Sequence, residues 1–362
     1  MTGEIELTRR MVLSAAIASP VAARLPRREA LQTVAGRAGR LFGAAVRAEA
    51  LSSDPGFRSV VSRECGIITP EIEWKWAYLE SRQGHLDFAA ADRLADFARA
   101  TGKRIHGHAL LWHRSIPPWA SAALADRPDW ILVRRFLSSV MPRYGDVAFT
   151  WDVVNEPIEA GVLPDGLRPS PYHQAFGPDY IVRAFEDARM LAPTAGLFVN
   201  EFGIDHDLPE ENEKRLLLLR LLEKLKKKGV PIDGLGIQAH LDLAKQPYFR
   251  EAILADFLND VGSLGLQVRI SELDVREANP LQPVADRDTQ VAQAVGRYLD
   301  VALANRAVGS VTCWGLSDRY SWLSSWGRPA GLNRGLPLDS DFNPKPMANV
   351  LNIAFASLFN NA

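Results

Sequence analysis

Short runs rich in β-branched residues recur through this chain at intervals of about 20 to 50 residues, with helical patterning between them. They lie near Leu41–Arg47, Cys65–Thr69, Arg104–Leu110, Phe149–Glu156, Leu197–Glu201, Leu235–Ala239, Val268–Leu273 and Ser310–Leu316. Strands that alternate with helices pair in parallel, because each helix carries the chain back to start the next strand in the same direction. Eight such units predict closure into a (β/α)8 barrel. A doubly wound sheet would carry a glycine-rich phosphate loop after its first strand, and Gly43-Ala44-Ala45 is not one. The 362 residues would allow two domains by length alone. No low-complexity linker divides them, and a barrel of about 250 residues or more is one unit, so a single domain is expected.

The clearest helix runs from about Pro209 to Lys228. Glu210, Glu211 and Glu213 open it and Lys224, Lys226, Lys227 and Lys228 close it, an arrangement that complements the helix dipole. Gly229 and Pro231 then stop it. The lysine run therefore reads as a solvated helix end rather than a binding patch. At the N-terminus, Thr8-Arg9-Arg10 precedes the apolar stretch Met11–Ala18 and small residues from Ser19 to Ala23. That is the layout of a twin-arginine export signal. Residues 1–25 are expected to be the signal and 26–362 the barrel, exported to a periplasm or to the medium. The net charge of -1 gives no reason to expect nucleic acid or a membrane as partner, and a monomer is expected. Cys65 and Cys313 fall on different predicted strands and read as two separate buried thiols.

The ends of the predicted strands are enriched in polar and aromatic groups. The second offers Glu71 and Lys75; the third His106, His108, Trp112 and His113; the fourth Asn155 and Glu156. The fifth offers Asn200 and Glu201, the sixth Gln238 and His240, the seventh Glu272 and Asp274, the eighth Trp314 and Asp318. In a barrel of parallel strands the C-terminal mouth is where active sites sit. A carboxylate there costs desolvation energy, and two facing one cleft are the equipment for breaking a glycosidic bond. Glu156 and Glu272 are that pair. The three histidines come with no His-Glu-x-x-His pattern or comparable ligand set, so neither a metal nor a cofactor is expected. Trp130 reads as core, while Trp74 and Trp76 could be core or sugar platforms. Residues 317–337 form a long loop after the last strand, and loops of that length are usually functional.

Five segments carry a resemblance. They are His106-Gly107-His108-Ala109-Leu110-Leu111-Trp112-His113, Trp151-Asp152-Val153-Val154-Asn155-Glu156, Gly236-Ile237-Gln238-Ala239-His240-Leu241, Ser271-Glu272-Leu273-Asp274, and Val311 to Trp322. With Asn343-Pro344-Lys345-Pro346 they make the chain resemble the endo-β-1,4-xylanases of glycoside hydrolase family 10 from about Leu41 to Ala356. The resemblance implies a (β/α)8 barrel that hydrolyses xylan with retention at the anomeric carbon. It implies Glu156 as general acid/base and Glu272 as nucleophile. His240, and through it Asp274, would hold Glu272 ionised. Asn155 would bond the 2-hydroxyl of the reacting sugar, and Gln238 would bond near the nucleophile. Lys75 and His108 would hold hydroxyls on the glycone side, and Glu71 would also bind substrate. Trp112 and Trp314 would wall the reacting sugar, with Trp322 closing over it.

Two departures stand out. The family usually carries Glu-Asn after the second strand, and here the pair is Glu71-Ile72. Ile72 can neither donate nor accept, so one bond to a neighbouring sugar, worth roughly 0.5–1.5 kcal/mol net, should be missing. The fifth-strand segment Val199-Asn200-Glu201-Phe202 replaces the usual Tyr-Asn-Asp-Tyr. Xylan and a β-1,4-glucan differ by an exocyclic hydroxymethyl, and a retaining glucanase or mixed hydrolase on the same barrel stays open from the sequence.

Overall fold

In the computed structural model, residues 28–325 and 333–359 are described. The expected export signal at residues 1–25 and part of the loop after the last strand lie outside them. Among the described residues there are ten strands: β1 (Leu41–Val46), β2 (Ile67–Pro70), β3 (Arg104–Gly107), β4 (Leu111–Trp112), β5 (Ala148–Asn155), β6 (Gly196–Glu201), β7 (Gly234–Ile237), β8 (His240–Asp242), β9 (Gln267–Arg276) and β10 (Val308–Cys313). Eight of them form the ring in the order β1-β2-β3-β5-β6-β7-β9-β10, all pairs parallel, and β10 closes back onto β1. The predicted barrel is present.

Each expected strand is found, with informative differences at the ends. The third run breaks at Gly107, and the chain resumes as β4, which pairs with the end of β5. The seventh runs on past Glu272 to Arg276, because β8 supplies a partner for Asp274, Val275 and Arg276. Glu272 therefore lies within a strand, whereas Glu156 stands just after one. Register shifts interrupt the β5–β6 pairing between Asp152 and Val154 and the β9–β10 pairing between Val311 and Cys313, both near the mouth. Such bulges re-aim side chains.

The barrel interior holds a polar thread. Arg269 Nη1 donates to Thr150 Oγ1 at 2.7 Å, and Thr150 lies 2.7 Å from His106 Nδ1. His106 Nε2 and His108 Nδ1 each lie 2.8 Å from Asp152 Oδ2. Burial, aided by the Arg269 charge, lowers His106 to about 4, so its ring is neutral at pH 7. The consistent pattern is that the Thr150 hydroxyl donates a hydrogen bond to His106 Nδ1, and His106 Nε2–H donates to Asp152. Burial opposes ionisation of Asp152, yet the two histidines hold its carboxyl well below the usual range.

The helix Pro209–Lys227 ends as expected, with its closing lysines exposed and Gly229 at φ 72°. Its opening turn does more than complement a dipole. Glu211 is buried and accepts from the backbone N–H groups of Asp205 and His206, which pins the loop after β6. Trp74 and Trp76 are core: Trp74 stacks on Tyr144 at 4.2 Å and Trp76 on Phe136 at 4.7 Å. Trp130 is also structural, donating to Asp187 at 2.7 Å. Both cysteines are free and buried. Among the described residues no helix is long and apolar enough to cross a membrane.

Candidate active site

A cleft of about 650 Å³ opens at the C-terminal mouth of the barrel. It is lined by Glu71, Lys75, His108, Trp112, Asn155, Glu156, Gln238, His240, Glu272, Asp274, Trp314 and Trp322, and also by Ile72. Residues read from separate strand ends thus meet in one place.

Glu272 is held from two sides. Asn200 Nδ2 donates to its Oε1 at 2.7 Å, and His240 Nε2 lies 3.0 Å from its Oε2. The other ring nitrogen of His240 lies 2.8 Å from Asp274 Oδ1, and Trp322 Nε1 donates to Asp274 Oδ2 at 2.6 Å. Burial works against a charged His240, but Asp274 and Glu272 on either side overcome it and raise its pKa well above 6.5. A protonated ring donates both ways. Burial would also raise Glu272, yet the hydrogen bond from His240, the neighbouring histidines and Asn200 bring it below the usual range. Glu272 is thereby a fixed, ionised carboxylate.

Glu156 is held more loosely. Asn155 Nδ2 donates to its Oε1 at 3.3 Å and Gln238 Nε2 to the same oxygen at 3.2 Å. Gln238 touches both carboxyl residues: its side-chain amide reaches Glu156, while its backbone carbonyl accepts from the N–H of Glu272 at 3.0 Å. Glu156 adopts φ 56°, in the left-handed region that non-glycine residues rarely occupy. Its backbone is fastened there, since its N–H donates to the carbonyl of Asn200 and its carbonyl accepts from Arg168 Nε. Local strain of this kind clusters at functional sites.

Asn200 was placed at a strand end by the sequence but assigned no part in the site, and it is the link between the two halves. Its Nδ2 also donates to Asn155 Oδ1 at 2.8 Å, and its Oδ1 accepts from Ser271 Oγ at 2.7 Å. A Cβ at Gly236 would lie 2.2 Å from Asn200 Oδ1, so the amide fits only because the facing residue has no side chain. The glycine opposite a buried asparagine is the signal that sequence reading passed over.

The aromatic residues frame the cleft. Lys75 Nζ stands 4.5 Å from the Trp112 ring centre and 5.6 Å from that of Trp314. Burial lowers the Lys75 pKa, against the pull of Glu272, Glu71 and Glu156. Trp322 packs 5.2 Å from His240. Glu71 is paired with Arg47, a partner the sequence did not reveal. Lys345, from the closing Asn-Pro-Lys-Pro segment, is buried and donates to Asp318 at 2.7 Å, which ties down the start of the last loop. His106 is committed to Asp152, and among the described residues no three His, Cys, Asp or Glu side chains are arranged to hold a metal ion.

The chain is similar to known proteins in sequence and in fold. Endo-1,4-beta-xylanase 5 of Pyricularia oryzae is 32% identical over 327 residues, covering 88% of this chain and 76% of that protein. The beta-1,4-xylanase of Dictyoglomus thermophilum is 31% identical over 299 residues, covering 80% of this chain and 82% of the other. Among solved structures, native xylanase 10B from Thermotoga maritima superposes with a TM-score of 0.81 at 27% identity, over 92% of this chain and 100% of that one. Xylanase 10B from Thermotoga petrophila, solved in complex with xylobiose, matches equally well, with a TM-score of 0.81 over 92% of this chain and 99% of the other. Residues 30–353 match glycosyl hydrolase family 10, and the chain belongs to that family.

Proposed function

We propose that this chain is an endo-1,4-β-xylanase that cleaves the xylan backbone with retention of configuration. The observation that carries the reading is the pair of carboxyls at the barrel mouth, one clamped and ionised, the other loosely held, bridged by Asn155 and Asn200. In the first step Glu272 attacks the anomeric carbon while Glu156 gives its proton to the departing oxygen. The glycosyl–Glu272 ester is then hydrolysed by a water whose proton Glu156 takes back. The two inversions sum to retention. Asn155, at the junction of both carboxyls, is positioned to bond a sugar hydroxyl as charge develops. Trp112 and Trp314 offer apolar faces to the C–H surfaces of the sugar.

The test is hydrolysis of an aryl β-xylobioside and the matching cellobioside, with azide added to Glu272→Ala and Glu156→Ala. Inverted glycosyl azide from Glu272→Ala and retained azide from Glu156→Ala are the expected products. Turnover of the cellobioside alone would overturn the substrate class and leave the mechanism standing. We further propose export through the twin-arginine route, which Arg9→Lys with Arg10→Lys should block, leaving active enzyme in the cytoplasm. A monomer is expected, and sedimentation at two concentrations checks it.

A further inference from the structure

The cleft is electrically lopsided. On the arm beyond β6 to β9 each lining cation has a carboxylate: Lys245 Nζ pairs with Glu211 at 2.7 Å and Arg276 with Asp242 at 2.9 Å. Asp205 adds a further acid there. The arm beyond β1 to β4 is the reverse. It presents Arg47, Lys75 and Arg114 to the cleft and a single carboxylate, Glu71, which Arg47 takes. Glu73 lies behind this wall, accepting from the backbone N–H groups of Ala48 and Ile72. Arg114 is exposed, and among the described residues no carboxylate pairs with it. Its guanidinium lies 6.0 Å from the Trp112 ring centre, the ring that Lys75 approaches at 4.5 Å.

We infer that this arm binds a carboxylate borne on the sugar chain, so that the preferred substrate is an acidic xylan carrying uronic acid branches, with Arg114 as the ion-pairing residue. The inference rests on the xylanase reading and deepens it. A neutral polysaccharide leaves an unpaired guanidinium in the cleft without use, whereas the planar fork of arginine matches a carboxylate with two parallel hydrogen bonds. Ile72, in the same wall, can neither donate nor accept a hydrogen bond. An acidic branch on the opposite arm would meet Asp205, Glu211 and Asp242.

The experiment compares kcat/KM for three matched xylo-oligosaccharides: unbranched, branched with glucuronic acid, and the same branch with its carboxyl reduced to a hydroxymethyl. The wild type should favour the acid over its reduced form by about fivefold at low salt, as a part-exposed charged pair allows. Added salt should erode the preference. Arg114→Gln should bring the ratio to about one, and Arg114→Lys should keep part of it. A wild-type ratio of one or less, or a ratio that survives in Arg114→Gln, overturns the inference. Turnover of the unbranched chain in either case shows that the xylanase reading still stands. Failure on all three sinks that reading and this inference together.

Discussion

The two halves of the cleft hold their carboxyls differently. Around Glu272 the contacts are close, at 2.7 Å from Asn200 and 3.0 Å from His240, and His240 is itself anchored to Asp274. Around Glu156 the amide contacts are long, at 3.3 and 3.2 Å, and both fall on one oxygen. The difference follows from the tasks proposed for them. A nucleophile must stay ionised and aimed, so charge-assisted donors suit it. A group that releases and regains a proton each turnover is ill served by strong donors, which would lock one protonation state. The chain fixes Glu156 through its backbone instead and leaves the carboxyl freer.

That contrast can be broken by mutation. Removing the proposed nucleophile with Glu272→Ala should cost at least about 10⁴-fold in kcat for every leaving group. Glu156→Ala should cost about 10²–10⁴-fold on xylan, yet little in the glycosylation of an aryl glycoside whose phenol needs no proton. Equal losses across leaving groups would reverse the roles. His240→Ala removes a charge-assisted bond worth roughly 1.5–3 kcal/mol, or about 10- to 150-fold. It should also move the acidic limb of kcat/KM to higher pH. The sign follows from Glu272: its pKa is held down mainly by His240 against burial, so the ionised form now survives to lower pH than it would without that ring. An unmoved limb would detach His240 from the ionisation of Glu272. Gln238→Ala removes only a long amide hydrogen bond, worth roughly 0.5–1.5 kcal/mol, on the other carboxyl. A loss of about 2- to 12-fold without a shift of the acidic limb is expected. Last, Ile72→Asn should lower KM on short xylo-oligosaccharides a few-fold, and an unchanged KM would show that position 72 does not touch the sugar.

Legibility differed by feature. The strands were readable because the β-branched runs are local and the helices between them have clear starts and stops, as at Pro209 and Gly229. The positions of Glu156 and Glu272 at the mouth followed from where those runs end. Bonding partners were harder. Gln238 sits two residues from His240, so the sequence places both beside one carboxyl, yet across the left-handed turn at Ala239, φ 56°, their side chains reach opposite carboxyls. The Arg47–Glu71 pair joins neighbouring strands whose register nothing local announces. Trp74 and Trp76 could not be assigned from composition, because whether a tryptophan meets sugar or core depends on what packs over it.

The order of elements, the closed parallel architecture and the side chains that each strand end delivers to the mouth are written locally in the amino-acid sequence. These depend on periodicity and on stop signals within one repeat. Which of those side chains touch depends on the closed fold. Asn200 reaches Asn155 across 45 positions and Glu272 across 72, Gln238 reaches Glu156 across 82, and Arg269 reaches Thr150 across 119. Those meetings are set by ring closure, strand stagger and the bulges at Asp152 and Val311, which are properties of the whole barrel and of no single segment.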